Sequence, residues 1–250
     1  VTIWLALCGA IAGAIIGSFL STLCIRWPEG RSVMRGRSTC DGCGRQIEAR
    51  DLVPILSSFR LSGGCRHCGI RISSLHGRME MAAAVLGGAA QLTAPGVAGL
   101  ALALFWWVLL TLAVLDARHF WLPDRLTILL AVAGLALGGL LWGLGFEHRL
   151  VGMAGGYAAL WLVATGYRLA RGRDGLGGGD AKLLGAIGAW LGWMALPVVV
   201  LIAAAIGLSI ALVGRQGRFT ALPFGTFLAA AATLWSAVAL LVPTFNLGLP

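Results

Sequence analysis

Charge is the scarcest commodity in this chain. Only 12% of its 250 residues are charged, the acids number ten, and of nineteen basic residues a single one, Lys182, is lysine. With 58% hydrophobic residues and several uncharged stretches near the roughly 20 residues that cross a hydrocarbon core, the sequence predicts a polytopic membrane protein and not an ordinary soluble domain. The first apolar run, 3–24, also lacks a basic flank before it and an Ala-x-Ala cleavage signal. Those absences argue against a signal peptide, and the run reads as a retained transmembrane helix.

What charge there is carries information through its placement. A net charge of +9 would suit a nucleic-acid binder, but Lys and Arg beside apolar spans first report topology, because they collect on the cytoplasmic side. Ten arginines lie between Arg26 and Arg78, then come Arg118 and Arg125, Arg168, Arg171 and Arg173, and Arg215 and Arg218. Eight spans, 3–24, 80–94, 98–115, 127–145, 150–167, 181–193, 196–213 and 222–242, place all of these inside and leave only Arg149 outside. Merging the short sixth span with the seventh into one helix kinked near Pro197 would put Arg215 and Arg218 outside, so the charge rule favours eight. No nucleic-acid partner is expected; membrane lipid is.

The fold class that follows is all-α and polytopic, with a small module inserted after the first helix. The expected organisation is a first helix over 1–25, a module over 26–79 and a helical core over 80–250. The insert holds four of the six cysteines, as Cys40-x-x-Cys43-Gly44 and Cys65-x-x-Cys68-Gly69, with twenty-one residues between the pairs. Two such turns place four thiolates to close a tetrahedral zinc site, and a fold this small commonly needs a metal staple. A pair of disulfides is the competing arrangement, disfavoured in a reducing compartment. His67 or His76 replacing a cysteine is a further alternative. A closed four-thiolate site has no open position, so this metal shapes the module and does not hydrolyse. Cys8 and Cys24, on the first helix, read as small buried hydrophobes.

Two carboxylates stand at the ends of apolar runs. Asp116 closes the third span and Asp180 opens the sixth, which the charge rule puts on one membrane face. Ionisable groups at membrane depth are costly and usually face a bundle interior or watery cavity, and two aspartates are the minimum for acid/base hydrolysis. Each alone also reads as a helix-end acid. Asp124, after Pro123, reads as the N-cap of the fourth span. The glycines before Asp180, Gly177 and Gly179 among them, let backbone approach backbone, as a protease holding an extended substrate requires. Lys182 stands where its ammonium would hold Asp180 ionised. On that reading Asp180 activates water and Asp116 holds the proton.

These strings, in this order, resemble the type IV prepilin peptidases, bifunctional leader peptidases and N-methyltransferases of bacterial inner membranes. The match runs through Gly17-Ser18-Phe19-Leu20-Ser21, the twin Cys-x-x-Cys-Gly turns, Val53-Pro54-Ile55-Leu56-Ser57, Asp116 with Pro123-Asp124-Arg125-Leu126-Thr127, Gly177-Gly178-Gly179-Asp180-Ala181-Lys182 and Leu222-Pro223-Phe224-Gly225. It departs from the family pattern at Ser21, Gly77 and Arg118. The resemblance implies a membrane aspartyl protease with Asp116 and Asp180 as its pair, supported by Gly177, Gly179 and Lys182. Its substrates would be prepilins or type II secretion pseudopilins, cut on the cytoplasmic side after the glycine ending a short basic leader. The new N-terminus would then be methylated from S-adenosylmethionine. Glu80, at the mouth of the second span, is a candidate for substrate contact or methyl transfer, or a plain helix-start acid. The competing readings are a noncatalytic zinc-module scaffold of a pilus or secretion assembly, and a transporter using its carboxylates for protons or cations.

Overall fold

A computed structural model describes residues 1–33, 39–40, 42–55, 63–172, 175–213 and 221–242. Of the residues used above, Arg35, Arg37 and Arg60 among the ten arginines, and Leu56, Ser57, Arg173, Arg215 and Arg218, lie outside the described ones. Among the described residues there are eight α-helices: α1 (Thr2–Arg26), α2 (Leu75–Thr93), α3 (Val97–His119), α4 (Asp124–Trp142), α5 (Phe146–Arg171), α6 (Gly178–Leu191), α7 (Leu196–Val213) and α8 (Phe224–Leu241). They follow the eight expected spans in order. The chain divides into two compact units, Val1–Ala103 and Leu104–Pro250.

In the first unit α1 lies along α2. Gly9, Gly13 and Gly17 recur every fourth residue on one stripe of α1, and a Cβ on Gly17 would stand 2.7 Å from the Met79 carbonyl oxygen and 2.8 Å from the Glu80 Cα. Small residues at this spacing let two helix backbones meet where lipid supplies no hydrophobic drive of its own. α2 starts where the Ser73 hydroxyl accepts from Leu75 N at 3.3 Å, and it ends in a turn closed by buried Gln91. The Gln91 amide accepts from Gly96 N at 2.9 Å and donates to Gly96 O at 3.2 Å. Cys24 is buried in this unit, but Cys8 lies on the exposed side of α1, so only one of the pair behaves as a core residue.

The second unit is built around α6. From Leu183 to Leu191 every residue of this helix is buried. Trp190 stacks on Phe105 with ring centroids 4.8 Å apart and donates its indole N–H to Leu130 O at 2.8 Å, while Trp106 donates to Ser236 Oγ at 2.8 Å. A helix surrounded by protein has no need to match the bilayer thickness, which explains why the sixth span is short. It stops at Gly192, whose φ of 73° no other residue type adopts easily, and α7 restarts at Leu196 with Pro197 in its first turn, where the missing N–H costs nothing. The single kinked helix is therefore not found.

Among the described residues six helices, α1, α3, α4, α5, α7 and α8, are long and apolar enough to cross a membrane. The other two fail for identifiable reasons: α2 carries His76, Arg78 and Glu80 in its first turns, and α6 is short. α7 has the highest mean hydropathy of the six, 2.8, yet only 22% of its span is buried. In water that would be an untenable apolar face; in hydrocarbon it is the expected one.

Candidate active site and metal centre

The insert of the first unit is built from one turn used twice. Cys40 N donates to Arg45 O and Gly44 N to Cys40 O, each at 2.9 Å; Cys65 N donates to Ile70 O and Gly69 N to Cys65 O, again at 2.9 Å. Gly44 and Gly69 sit at φ 69° and 70°, the left-handed backbone that makes the glycine after each second cysteine necessary. The two turns face each other with all four sulfurs within 4.8 Å of one another, and Cys40 Sγ is 3.7 Å from Cys68 Sγ. Thiolates held about 2.3 Å from a central zinc form a tetrahedron with edges of about 3.8 Å, so the cluster fits a metal ion. Backbone N–H groups of Cys68 and His67 pull the Cys65 thiol down to about 6, while Cys68, despite the backbone N–H of Ile70, is pushed up to about 11 by burial and by its cysteine neighbours. His67 takes a contact from Arg45 at 3.3 Å and His76 pairs with Ser21 Oγ at 2.6 Å, so among the described residues the cluster is cysteine alone.

Glu80 is buried at the start of α2, and its Oε2 accepts from Ile55 N at 2.7 Å. Ile55 holds φ at 66°, a strained setting for a β-branched residue. The carboxylate thus pins a loop of the insert onto the second helix.

In the second unit three helix ends meet. Asp116 comes from the last turn of α3, Asp180 from the first turn of α6, and Gly225 with Thr226 from the first turn of α8. Both aspartates are buried. Thr226 N donates to Asp116 Oδ2 at 2.7 Å, and Thr226 Oγ1 lies 3.1 Å from the same oxygen and 2.9 Å from Ala113 O. A Cβ placed on Gly225 would stand 3.0 Å from Asp116 Oδ2 and 3.0 Å from Asp180 Oδ1. The two carboxylate oxygens therefore converge on Gly225, no further apart than twice that distance. Gly177 caps α6, its carbonyl accepting from Asp180 N at 3.1 Å; Gly179 leaves room for Leu122, and beside Gly178 there is open space. Gly225 and Thr226 were not singled out as site residues by sequence reasoning. Their only signal was the Leu222-Pro223-Phe224-Gly225 string.

Two expectations about neighbours are corrected here. The Lys182 ammonium donates to Asp124 Oδ1 at 2.6 Å, so it pairs with the fourth helix. Asp180 consequently does not owe its state to Lys182, and the assignment of the two acid/base roles loses that argument. Asp124 is not the N-cap of α4: Pro123 occupies that position, Asp124 is the first helical residue, and no side chain caps the helix. Proline preceding the helix leaves Asp124 pointing outward, where a cation two residues beyond Asp180 can reach it.

Comparison with known proteins finds relatives along most of the chain. The model of the type IV leader peptidase family matches residues 103–212, and that of the bacterial peptidase A24 N-terminal domain matches 11–93. A prepilin leader peptidase/N-methyltransferase of Burkholderia pseudomallei is 44% identical over 208 residues, covering 80% of this chain and 67% of that protein. One of the same name from Aeromonas hydrophila is 37% identical over 82% of this chain and 73% of its own length. Another from Dickeya chrysanthemi is 36% identical over 93% and 92%. No solved structure matches the chain. With helices built to cross a bilayer, a paired-carboxylate site, and relatives similar over most of both chains, this multi-pass membrane protein belongs to the type IV leader peptidase family.

Proposed function

We propose that the protein cleaves the leader of type IV prepilins or type II secretion pseudopilins after its terminal glycine, at the cytoplasmic face of the bacterial inner membrane, and N-methylates the new N-terminus. One observation carries the peptidase reading: two buried aspartates, distant in sequence, converge on the backbone of Gly225. A scaffold has no use for that arrangement. Two carboxyls this close lose their protons in coupled steps, so one is available as base while the other is still an acid. The base takes a proton from water as its oxygen attacks the carbonyl carbon of the scissile peptide, and the acid gives a proton to the carbonyl oxygen. The resulting tetrahedral diol collapses when the amide nitrogen takes a proton, its C–N bond breaks, and the carboxyls return to their starting state. Thr226 holds Asp116 in place, and the open side of Gly178 offers room for an extended substrate backbone beside Asp180.

The remaining assignments follow the same reading. Cys40, Cys43, Cys65 and Cys68 hold a structural zinc, with the module and the active site on the cytoplasmic side. The chain is organised as helix 1–25, zinc module 26–79 and peptidase core 80–250. S-adenosylmethionine supplies the methyl group as an electrophilic carbon on sulfur.

The test is cleavage of a purified prepilin with a basic, glycine-ended leader by the native protein, Asp116→Asn and Asp180→Asn, with mass spectrometry of the new N-terminus. Loss of cleavage by at least 100-fold in both variants, with the fold intact, is expected, since positioned acid/base groups contribute about 10²- to 10⁴-fold each. The native product should also carry an added methyl mass. Cleavage that survives either substitution refutes the pairing.

A further inference from the structure

Gly177, Gly178, Gly179 and Gly225 surround the peptidase pair with bare backbone, so any side chain standing among them sets the shape of the cleft. Among the described residues, the side chains within 4 Å of the places where their Cβ atoms would be are the two aspartates and Leu122. A Cβ on Gly179 would stand 2.9 Å from Leu122 Cβ, and one on Gly225 would stand 2.8 Å from Leu122 Cδ1. That second position is also 3.0 Å from Asp116 Oδ2 and from Asp180 Oδ1, so a methyl of Leu122 is no further from either oxygen than those two distances combined. A carbonyl brought between the carboxylates has Leu122 for a neighbour.

The chain holds Leu122 there from both sides. It belongs to the short connector 120–123 between α3 and α4. At one end Phe120 N donates to Asp116 O at 2.9 Å, which closes the connector onto the residue carrying the first carboxylate. At the other end Pro123 is buried, and its carbonyl accepts from Leu126 N at 3.0 Å. Phe120 holds φ at 49°, a left-handed setting uncommon for an aromatic residue, and this reverses the chain directly after α3. Such backbone persists where the surroundings over-determine it, and it clusters at active sites. Leu122 is only partly buried, so it keeps some of its apolar surface open beside two buried carboxylates.

A substrate therefore has to pass between the open side of Gly178 and the Leu122 side chain. Bare backbone fits. A β-carbon on the residue whose carbonyl is attacked would press on Leu122, whose own Cβ is fixed by the pinned connector and cannot rotate away. We infer that Leu122 is the specificity-determining residue that restricts cleavage to leaders ending in glycine. The inference deepens the peptidase reading above and rests on it: the aspartates supply the reaction, and Leu122 decides which carbonyl reaches them. Its means is exclusion of the wrong residue and not attraction of the right one. A single methyl group too many in a fitted pocket discriminates by about 10- to 200-fold.

The test uses three purified prepilins with the same basic leader: one ending in glycine, one ending in alanine, and one ending in glycine but with alanine as the residue after the scissile bond. For the native protein, Leu122→Ala, Leu122→Val and Leu122→Met, kcat/KM is measured on each, and melting temperature reports folding. The native chain should favour the glycine leader over the alanine leader by about 10- to 200-fold. Leu122→Ala should shrink that ratio at least tenfold by raising the rate on the alanine leader, a gain that damage to the fold cannot produce. Leu122→Val should shift it in the same direction by less, and it decides the matter if Leu122→Ala does not fold. Leu122→Met, of similar volume, should keep the native ratio. An unchanged glycine preference in the smaller variants overturns the assignment, as does a shift that Leu122→Met shares in full. A change confined to the third prepilin also overturns it, because Leu122 would then meet the residue beyond the bond. A native protein that cleaves none of the three overturns the peptidase reading itself.

Discussion

Gly225 shows how a residue without a side chain can define a site. Alanine there would press a methyl group to 3.0 Å from an oxygen of each aspartate and 2.8 Å from Leu122 Cδ1. Gly225→Ala is expected to lower kcat by about tenfold or more while the protein still folds, because the carboxylates must give by a few tenths of an ångström and misplacing reacting groups by a full ångström costs about 100-fold. Thr226→Val keeps the backbone donor to Asp116 and removes the hydroxyl, so a milder loss is expected, about 1 kcal/mol or roughly fivefold in kcat/KM. Steady-state kinetics on both variants checks the order. Arg149 illustrates the converse, a charge without chemistry. It is buried and donates to Gly134 O at 3.2 Å and Leu135 O at 2.6 Å, where Gly138 and Gly139 leave space for the guanidinium. The one arginine that the charge rule leaves on the far side is thus tied to the protein interior, so it says little about topology. Arg149→Met should destabilise the fold by about 1–3 kcal/mol without altering the site, as a thermal melt would show.

At the scale of elements, the two cysteine turns and the α4–α6 clip behave differently. The turns have almost no core beneath them, so Cys43→Ser should remove the bound metal entirely and unfold the module, because the binding free energy of a structural zinc is largely its folding free energy. Metal analysis should fall from one equivalent per chain to none. The Lys182–Asp124 contact is exposed on both sides, 44% and 60%, and such pairs contribute only about 0.2–1 kcal/mol. Its significance is positional, since it fixes the first turn of α6 from which Asp180 projects. A double-mutant cycle with Lys182→Ala and Asp124→Asn should show the two changes coupled, the pair costing no more than the worse single variant. Additive losses would mean that Lys182 acts on Asp180 without its partner.

For the whole molecule, the apolar outer faces of α1 and α7 make the bilayer part of the folding environment. On the proposed function the arginine-rich insert orients the chain with its module in the cytoplasm. Single cysteines introduced at exposed positions of the insert, such as Arg45, should be labelled by a membrane-impermeant thiol reagent only in inverted vesicles, and labelling in right-side-out vesicles would reverse the proposed sidedness.

Much of this architecture was legible in the order of residues. Eight helices, the cysteine insert and the two aspartates could be read because each carries a strong local signal: an apolar run, a metal-ligand spacing, a charge where charge is expensive. The repeated glycine after Cys43 and Cys68 likewise announced its turn. Relations between distant residues could not be read in the same way. Lys182 follows Asp180 by two positions and was assigned to it, yet a helical turn carries successive side chains to different faces, and the ammonium meets Asp124 on another helix. Gly225 offers no functional group, so its convergence with both carboxylates exists only once α3, α6 and α8 have packed. The short sixth span looked doubtful until its burial explained it. Sequence by itself determined which groups this protein has and roughly where along the membrane they lie, because local propensity and solvation act on neighbours. Tertiary structure decided which of those groups face one another, because partnership depends on packing that no local pattern encodes.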